Sequence, residues 1–535
     1  MTTMQEASER VPVKHLWELS AVQLAVKIAS GEITAGDAVE AHVARIEAVN
    51  PGLNAVVVKR YEAARAEARE ADQRRAAGGR LGPLHGVPIT IKECLDLEGT
   101  PSTFGLPSRS SINATNDDRY VARMRQAGAI VLGKTNVAQL LGFVETDNPL
   151  YGRTNNPWDV DRSPGGSSGG QAAIIAAGGS PLGLGTDIGG SIRVPAASCG
   201  IAGLKPTAGR MPDAGRYSFP IGQRAVVSEV GLLAREVEDV ALGLEVANGG
   251  RNPAVEPPMP LGDPGSVDLS KLRVGYYTDD GIFPASPAVQ RAVHEAAETL
   301  KGLGAGVTPW TPPAADHAMS LFFGLLSSDG FKGGKRTLGR DKRDPRIAKM
   351  EQAGSTPGFM LPAIRALLRA SGRRKLAQIV GHYGHHDTDH YWRLVGQQME
   401  YQKRFAAALD ENEGGPIDLI LCPAFPLPAM RHGATAEFTL AGTYTCLYNV
   451  LGYPTGIVPV TRVREGEEGG RALGRDKMDR AAYKTEVGSA GLPIGVQVVA
   501  RPWREHVAIA AMAGIERAVR ESGELPRIAP FAGNR

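Results

Sequence analysis

The sequence predicts an α/β protein: a mixed, twisted β-sheet core covered by α-helices on both faces. Three observations carry that expectation. Strand, helix and strand alternate between 87 and 132: Val87-Pro88-Ile89-Thr90-Ile91 is an apolar run, 120–128 repeats with helical period, and 130–132 is apolar again. The C-terminal third holds strand-like runs at 418–422, 456–463 and 491–500 around a helical segment at 444–451. Finally, 42% apolar and 22% charged residues over 535 positions describe an ordinary globular protein with enough apolar side chains for a large core.

Taken in order, Ser20 and Thr34 read as N-caps of two amphipathic helices, the first closed by Gly31 and the second stopped by Pro51. A short strand at 55–59 precedes a helix at 61–77, whose charge lies on most faces and which is therefore expected to be solvated. Lys92 stands at the buried end of the 87–91 strand. Lys134-Thr135-Asn136 reads as the turn after the 130–132 strand, and 171–177 as an apolar helical segment. The stretch 231–247 reads as one helix with Glu236, Glu238 and Asp239 early in it, where they suit the helix dipole. A Pro/Gly-rich connector at 252–265 then leads to a strand at 272–277.

Residues 316–400 are the least regular. Met360, Leu361, Ile364, Leu367 and Leu368 recur at helical spacing, with Arg365, Arg369, Arg373 and Arg374 on other faces. A basic amphipathic helix of this kind suits a membrane surface, but the helix has many arginines and no aromatic anchors, which favours a lid over a site. His382, His385, His386 and His390 lie close together without cysteine or an established zinc spacing, so they read as a solvated patch and no metal is expected.

Composition excludes several functions. A net charge of +3 on so long a chain gives no global attraction to nucleic acid or acidic membranes. Cys94, Cys199, Cys422 and Cys446 are far apart and form no C-x-x-C pair, which favours thiols in a reducing, cytoplasmic setting. The first fifteen residues lack an apolar run after their charges, and no later segment reaches 18 apolar residues, so neither export nor a membrane span is expected.

The chemistry concentrates in 163–207, where glycine and serine outnumber residues that could pack. Gly165-Gly166-Ser167-Ser168-Gly169-Gly170 and Gly189-Gly190-Ser191 each set hydroxyls among nearly bare N–H groups. Glycines let a loop turn with positive φ and let a carbonyl approach, and successive N–H groups can converge on an oxyanion, so the pattern points to acyl transfer. A flexible linker is disfavoured by the apolar segment that follows and by Ser191-Ile192-Arg193-Val194-Pro195. Gly165 to Gly169 also fits the G-x-S-x-G elbow, yet the polar, turn-forming 155–164 stands where that motif needs a buried strand. A dinucleotide fingerprint fails because Ile188 stands where its third glycine belongs, and no cofactor is expected.

The whole stretch resembles the signature of the amidase signature family of serine hydrolases. In that family the serine of the GGS cluster is the nucleophile, a serine on a cis peptide in GGSSGG is the intermediate, and an upstream lysine is the base. By position these are Ser191, Ser167 and Lys92. Burial disfavours an ammonium group, whose ordinary pKa is about 10.4, so a buried lysine is a candidate base near neutrality. His85, seven residues earlier, then reads as structural. The oxyanion is assigned to the N–H groups of Ile188, Gly189, Gly190 and Ser191, with Ser168 and Asp187 supporting and Arg193 pairing with Asp187.

The resemblance covers 15–520, is weakest between 316 and 400, and implies one amidase signature domain over 1–535 with a variable helical lid or cap. It narrows toward the fatty acid amide hydrolase branch at KECLDLEGTPST, LYNVLGYPTGIVPVT, the charged insertion 462–486 and GLPIGVQVVARPW, although no helix like that branch's membrane-spanning start is present. It implies that Leu141 and Phe143, with Gly142 between them, line an acyl pocket, a plain core role being equally open; Tyr444 is a further candidate. The expected activity is hydrolysis of aryl or fatty acyl amides by a monomer or homodimer, with esters and carbamates as further substrates and no nucleic-acid partner. The alternative is an A-type amidotransferase chain that works on glutamine together with partner chains.

Overall fold

The computed structural model describes residues 13–212, 222–249, 259–438, 442–471, 474 and 476–531. Eleven described strands form one sheet: β1 Val56–Lys59, β2 Pro88–Lys92, β3 Ile130–Thr135, β4 Leu182–Asp187, β5 Ala202–Lys205, β6 Glu229–Ala234, β7 Arg273–Tyr276, β8 Gly306–Pro309, β9 Leu419–Pro423, β10 Thr455–Arg462 and β11 Pro493–Ala500. Their order is β1-β3-β2-β4-β6-β5-β10-β11-β9-β7-β8. β2 runs parallel to β3 and β4, and β7 parallel to β8 and β9; the other pairings are antiparallel. The sheet is therefore mixed, as the alternation predicts.

Every residue of β2, β3, β4, β6, β9 and β11 is buried. Successive side chains of a strand point to opposite faces, so complete burial requires helices on both. The two edge strands differ: β8 is mostly exposed and β1 half so. β7 to β9, beyond the Pro/Gly-rich connector, hydrogen-bond into this same sheet; of that connector, 252–258 lies outside the described residues.

Ser20 and Thr34 both form capping boxes, and Gly31 closes the first helix in the left-handed region. Pro51 does not stop the second helix, which spans Ala35–Leu53 with Pro51 inside it. The end is set by Asn54, whose φ is 52° and whose amide donates to the carbonyls of Tyr151 and Arg153. Lys134 and Thr135 belong to β3 and do not form a turn. The expected helix over 231–247 is in fact β6 followed by Val237–Asn248, because Leu232 and Leu233 pair between β4 and β5. Short apolar runs carry no period that separates strand from helix.

The 316–400 region is helical: Ala315–Ser327, Lys332–Leu338, Pro345–Gly354, Leu361–Ala370, Arg374–Ile379 and Thr388–Asp410. The predicted amphipathic helix forms at Leu361–Ala370, with Leu361 buried, Ile364 and Leu368 half-buried and Leu367 69% exposed. His386 and His390 stack ring on ring at 3.9 Å beside half-buried His382. No group of three His, Cys, Asp or Glu among the described residues is placed to hold a metal ion. The four cysteines are buried and form no disulfide.

Candidate active site

Parallel pairing of β2 with β4 brings the C-terminal ends of both strands out together, Lys92 on one and Asp187 on the other. In parallel sheets this carboxyl end is where ligands bind. Lys92 has no solvent exposure, and its Nζ lies 2.8 Å from Ser167 Oγ, 2.8 Å from Thr186 Oγ1 and 3.3 Å from the Thr186 carbonyl. Glu93, next along, turns away to accept the N–H groups of Thr103 and Phe104. His85 is likewise remote from this chemistry, its Nε2 meeting the Ala71 carbonyl.

Ser167 follows a cis peptide from Gly166. Gly166 has to be glycine for space: a Cβ there would lie 2.3 Å from the carbonyl oxygen of Glu145. Ser168 joins the two glycine clusters, its N–H donating to the Ser191 carbonyl at 3.2 Å and its hydroxyl to the Thr186 carbonyl at 3.4 Å. Ser191 is 7% exposed and sits just past β4, on the loop that opens at Ile188 and Gly189.

Asp187 organises that loop. Its carboxylate accepts the N–H groups of Gly190 at 2.8 Å and Ile192 at 3.1 Å, and pairs with Arg193 through both oxygens. Arg193 is fully buried and spends its remaining donors on the Thr445 carbonyl, Gln497 Oε1 and Asn449 Oδ1. Burial alone would raise the Asp187 carboxyl, but the Arg193 guanidinium and these hydrogen bonds hold it well below the usual carboxylate range. The predicted Asp187–Arg193 pair is present.

Two predicted positions need correction. The Gly190 N–H, assigned to the oxyanion, is already spent on Asp187, whereas those of Ile188, Gly189 and Ser191 meet no backbone or side-chain acceptor among the described residues. Tyr444, expected on the acyl pocket, has no exposed surface; its hydroxyl donates to the carbonyls of Phe283 and Thr278 and its ring stacks on Tyr277, so it is a core residue. Leu141 and Phe143 are half-buried against Phe331, Ile347 and Met350, with the Arg346 guanidinium 4.0 Å over the Phe143 ring. A Cβ on Gly142 would meet Ile347 at 2.7 Å.

Sequence reasoning missed Thr186, Thr445, Asn449 and Gln497. Thr186 was legible in principle, one residue before Asp187 on the strand beside Lys92. The other three come from about 250 to 300 residues downstream, and no local pattern marks them.

The fold and the relatives it belongs among make this chain an amide hydrolase. A profile of the family described as Amidase matches residues 37–508, and the chain belongs to this amidase signature family. Within it, the chain is 35% identical over 97% of its length to fatty-acid amide hydrolase 1 of Sus scrofa, 90% of which is covered. The fold matches a solved fatty acid amide hydrolase with TM-score 0.82 at 25% identity, covering 95% of this chain and 86% of that one. Identity to a glutamyl-tRNA(Gln) amidotransferase chain of Roseiflexus castenholzii is 31%, over 92% of this chain and 94% of that protein. No described helix is long and apolar enough to cross a membrane.

Proposed function

We propose that the chain hydrolyses uncharged, hydrophobic amides bearing aryl or fatty acyl groups through an acyl-enzyme, and that esters and carbamates (urethanes) are further substrates. The observation that carries this reading is the buried 2.8 Å contact between Lys92 Nζ and Ser167 Oγ beside the Ser191 loop. A lysine that has lost its proton accepts the Ser167 hydroxyl proton while Ser167 accepts that of Ser191, and Ser191 Oγ bonds to the substrate carbonyl carbon. The oxyanion so formed lies among the N–H groups of Ile188, Gly189 and Ser191. Collapse breaks the C–N bond, the proton returns along Ser167 to the leaving nitrogen, and water then releases the acid from the Ser191 ester. Catalytic hydrogen bonds tighten on substrate binding, so the Ser167–Ser191 link is made in the complex.

The substrate class rests on Leu141, Gly142 and Phe143 as the apolar lining and on the commitment of nearby guanidinium groups. Arg193 is consumed by Asp187, and Arg346 pairs with Glu145, Asp147 and Asp344. Neither is available for a substrate carboxylate. A glutamine-specific amidotransferase chain is the second reading, favoured by 31–32% identity to several such proteins. A panel of acyl anilides, fatty amides, N-aryl carbamates and free glutamine, assayed with the chain alone, separates them. The highest kcat/KM on a hydrophobic substrate is expected; highest kcat/KM on glutamine would overturn the proposal.

A further inference from the structure

The loop that carries Ser191 is held from a second side by the helix Thr443–Leu451, which follows it by about 250 residues. Thr445 Oγ1 lies 2.9 Å from the Gly189 carbonyl oxygen and 3.0 Å from that of Gly442, and Cys446 Sγ lies 3.4 Å from the same Gly189 oxygen. The contact is close-packed as well as polar: a Cβ on Gly190 would sit 2.5 Å from Thr445 Oγ1 and 2.9 Å from its Cβ. Gly190 is also at φ +119°, a conformation open only to glycine, so this juxtaposition is demanded by both backbone and neighbour.

Gly189 C=O and Gly190 N–H belong to one peptide plane. Its oxygen is taken by Thr445 and its N–H by Asp187 at 2.8 Å. The two anchors are themselves joined, because Arg193 pairs with Asp187 and donates to the Thr445 carbonyl at 2.9 Å. The result is a closed ring of hydrogen bonds running Gly190, Asp187, Arg193, Thr445, Gly189. Fixing this plane restrains the two adjoining peptide planes, which carry the N–H groups of Gly189 and Ser191. With that of Ile188, these are the donors left over for an oxyanion.

We infer that Thr445 is a positioning residue for the hydrolysis, its hydroxyl clamping the Gly189–Gly190 peptide so that the Gly189 and Ser191 N–H groups are aimed before substrate arrives, while the Gly190 N–H serves as anchor and not as oxyanion donor. The inference rests on the Ser191 reading above. Preorganised donors act on the charge that develops in the transition state, so loosening the clamp lowers kcat and spares KM.

The test compares Thr445→Ala, which removes hydroxyl and methyl, with Thr445→Ser, which restores the hydroxyl alone, on one hydrophobic anilide. Melting temperature confirms folding, and Ser191→Ala runs in parallel. Removing one oxyanion donor outright costs about a hundredfold or more, so misaiming two by loss of their clamp should lower kcat in Thr445→Ala by about tenfold to a hundredfold. KM should stay within about twofold, and Thr445→Ser should recover kcat to within about threefold of the wild type. Equal kcat in Thr445→Ala and wild type, with Ser191→Ala inactive, overturns the clamp and leaves the nucleophile assignment standing. A Thr445→Ser variant as slow as Thr445→Ala also overturns it, since packing and not the hydroxyl would then be what matters. Turnover surviving in Ser191→Ala overturns the nucleophile and the clamp together.

Discussion

The glycine-rich cradle and the helical cap solve opposite problems. Between 163 and 207 every residue is buried except Ile188, Gly189 and Gly200, so the backbone opens toward solvent just before Ser191 and almost nowhere else. Small side chains let strands and loops close on one another, and the charged groups at the site, Lys92, Asp187 and Arg193, all have partners inside the fold. The cap instead leaves Phe359, Leu367, Trp392 and Met399 more than half exposed. In the first region nearly every residue is enclosed, whereas the cap helices bury one face, through residues such as Phe322 and Leu394, and leave the other to solvent. Preorganisation is what acyl transfer demands, and it is why the proposed chemistry is assigned to the first region.

The sharpest way to break that comparison is to remove the reacting groups. Ser191→Ala should reduce kcat/KM by more than about a thousandfold with the melting temperature unchanged, and a fluorophosphonate probe should label wild type at Ser191. Labelling at Ser168 would revive the elbow reading. Lys92→Met should be comparably inactive, and wild-type turnover should rise with pH as the free amine gains population and be indifferent to EDTA. A rate preserved in Lys92→Met would remove lysine from the mechanism.

Next in size is the buried pair beneath the loop. Arg193→Met leaves the Asp187 carboxylate unpaired in the core and should cost about 3–5 kcal/mol in chemical denaturation, together with most of the activity. A loss below about 1 kcal/mol would mean that Asn449 and the loop N–H groups suffice for Asp187.

Two histidines carry the comparison into pH. His42 lies fully inside the core on the helix Ala35–Leu53; its Nδ1 meets the Ala38 carbonyl and its Nε2 has no hydrogen-bond partner among the described residues. Burial pushes it down to about 3. His382 in the cap, half-buried and close to His390, is pushed down to about 4, burial again leading. Both are depressed, so each contributes stability that is full above the unfolded value of about 6.5 and is lost as pH falls through about 3 and about 4 respectively. At about 1.4 kcal/mol per tenfold change, His42 accounts for several kcal/mol. His42→Leu should flatten the acid limb of stability between about pH 6.5 and 3, and His382→Asn should do so much less because water screens it. A larger change in His382→Asn would show the cap to be the more rigid part.

The smallest effect is expected at the cap surface. Leu367→Ser should change unfolding free energy by less than about 0.5 kcal/mol and leave kcat on a small soluble anilide unaltered. A stability loss of several kcal/mol would mean that this face is covered in solution.

The sequence by itself determined the α/β class, the two N-capped helices, the β2 and β11 strands, and the glycine- and serine-rich stretch on which the proposed site is built. Each is a local property: periodicity, capping side chains, or glycine and serine where nothing else would fit. It also placed Lys92 at the end of a buried strand and paired Arg193 with Asp187, since six residues separate them. Tertiary structure decided the rest. The segment 231–234 became a strand because β4 and β5 offered it hydrogen bonds on both sides, which no local pattern announces. Tyr444 went into the core because Phe283 and Thr278 supply acceptors for its hydroxyl. Thr186 came to hold Lys92 because β2 and β4 run parallel as neighbours, and Thr445 and Asn449 came to hold the Ser191 loop because a helix about 250 residues downstream packs against it. A sequence records which side chains can donate and accept; which donor meets which acceptor depends on distances that exist only once the sheet has closed.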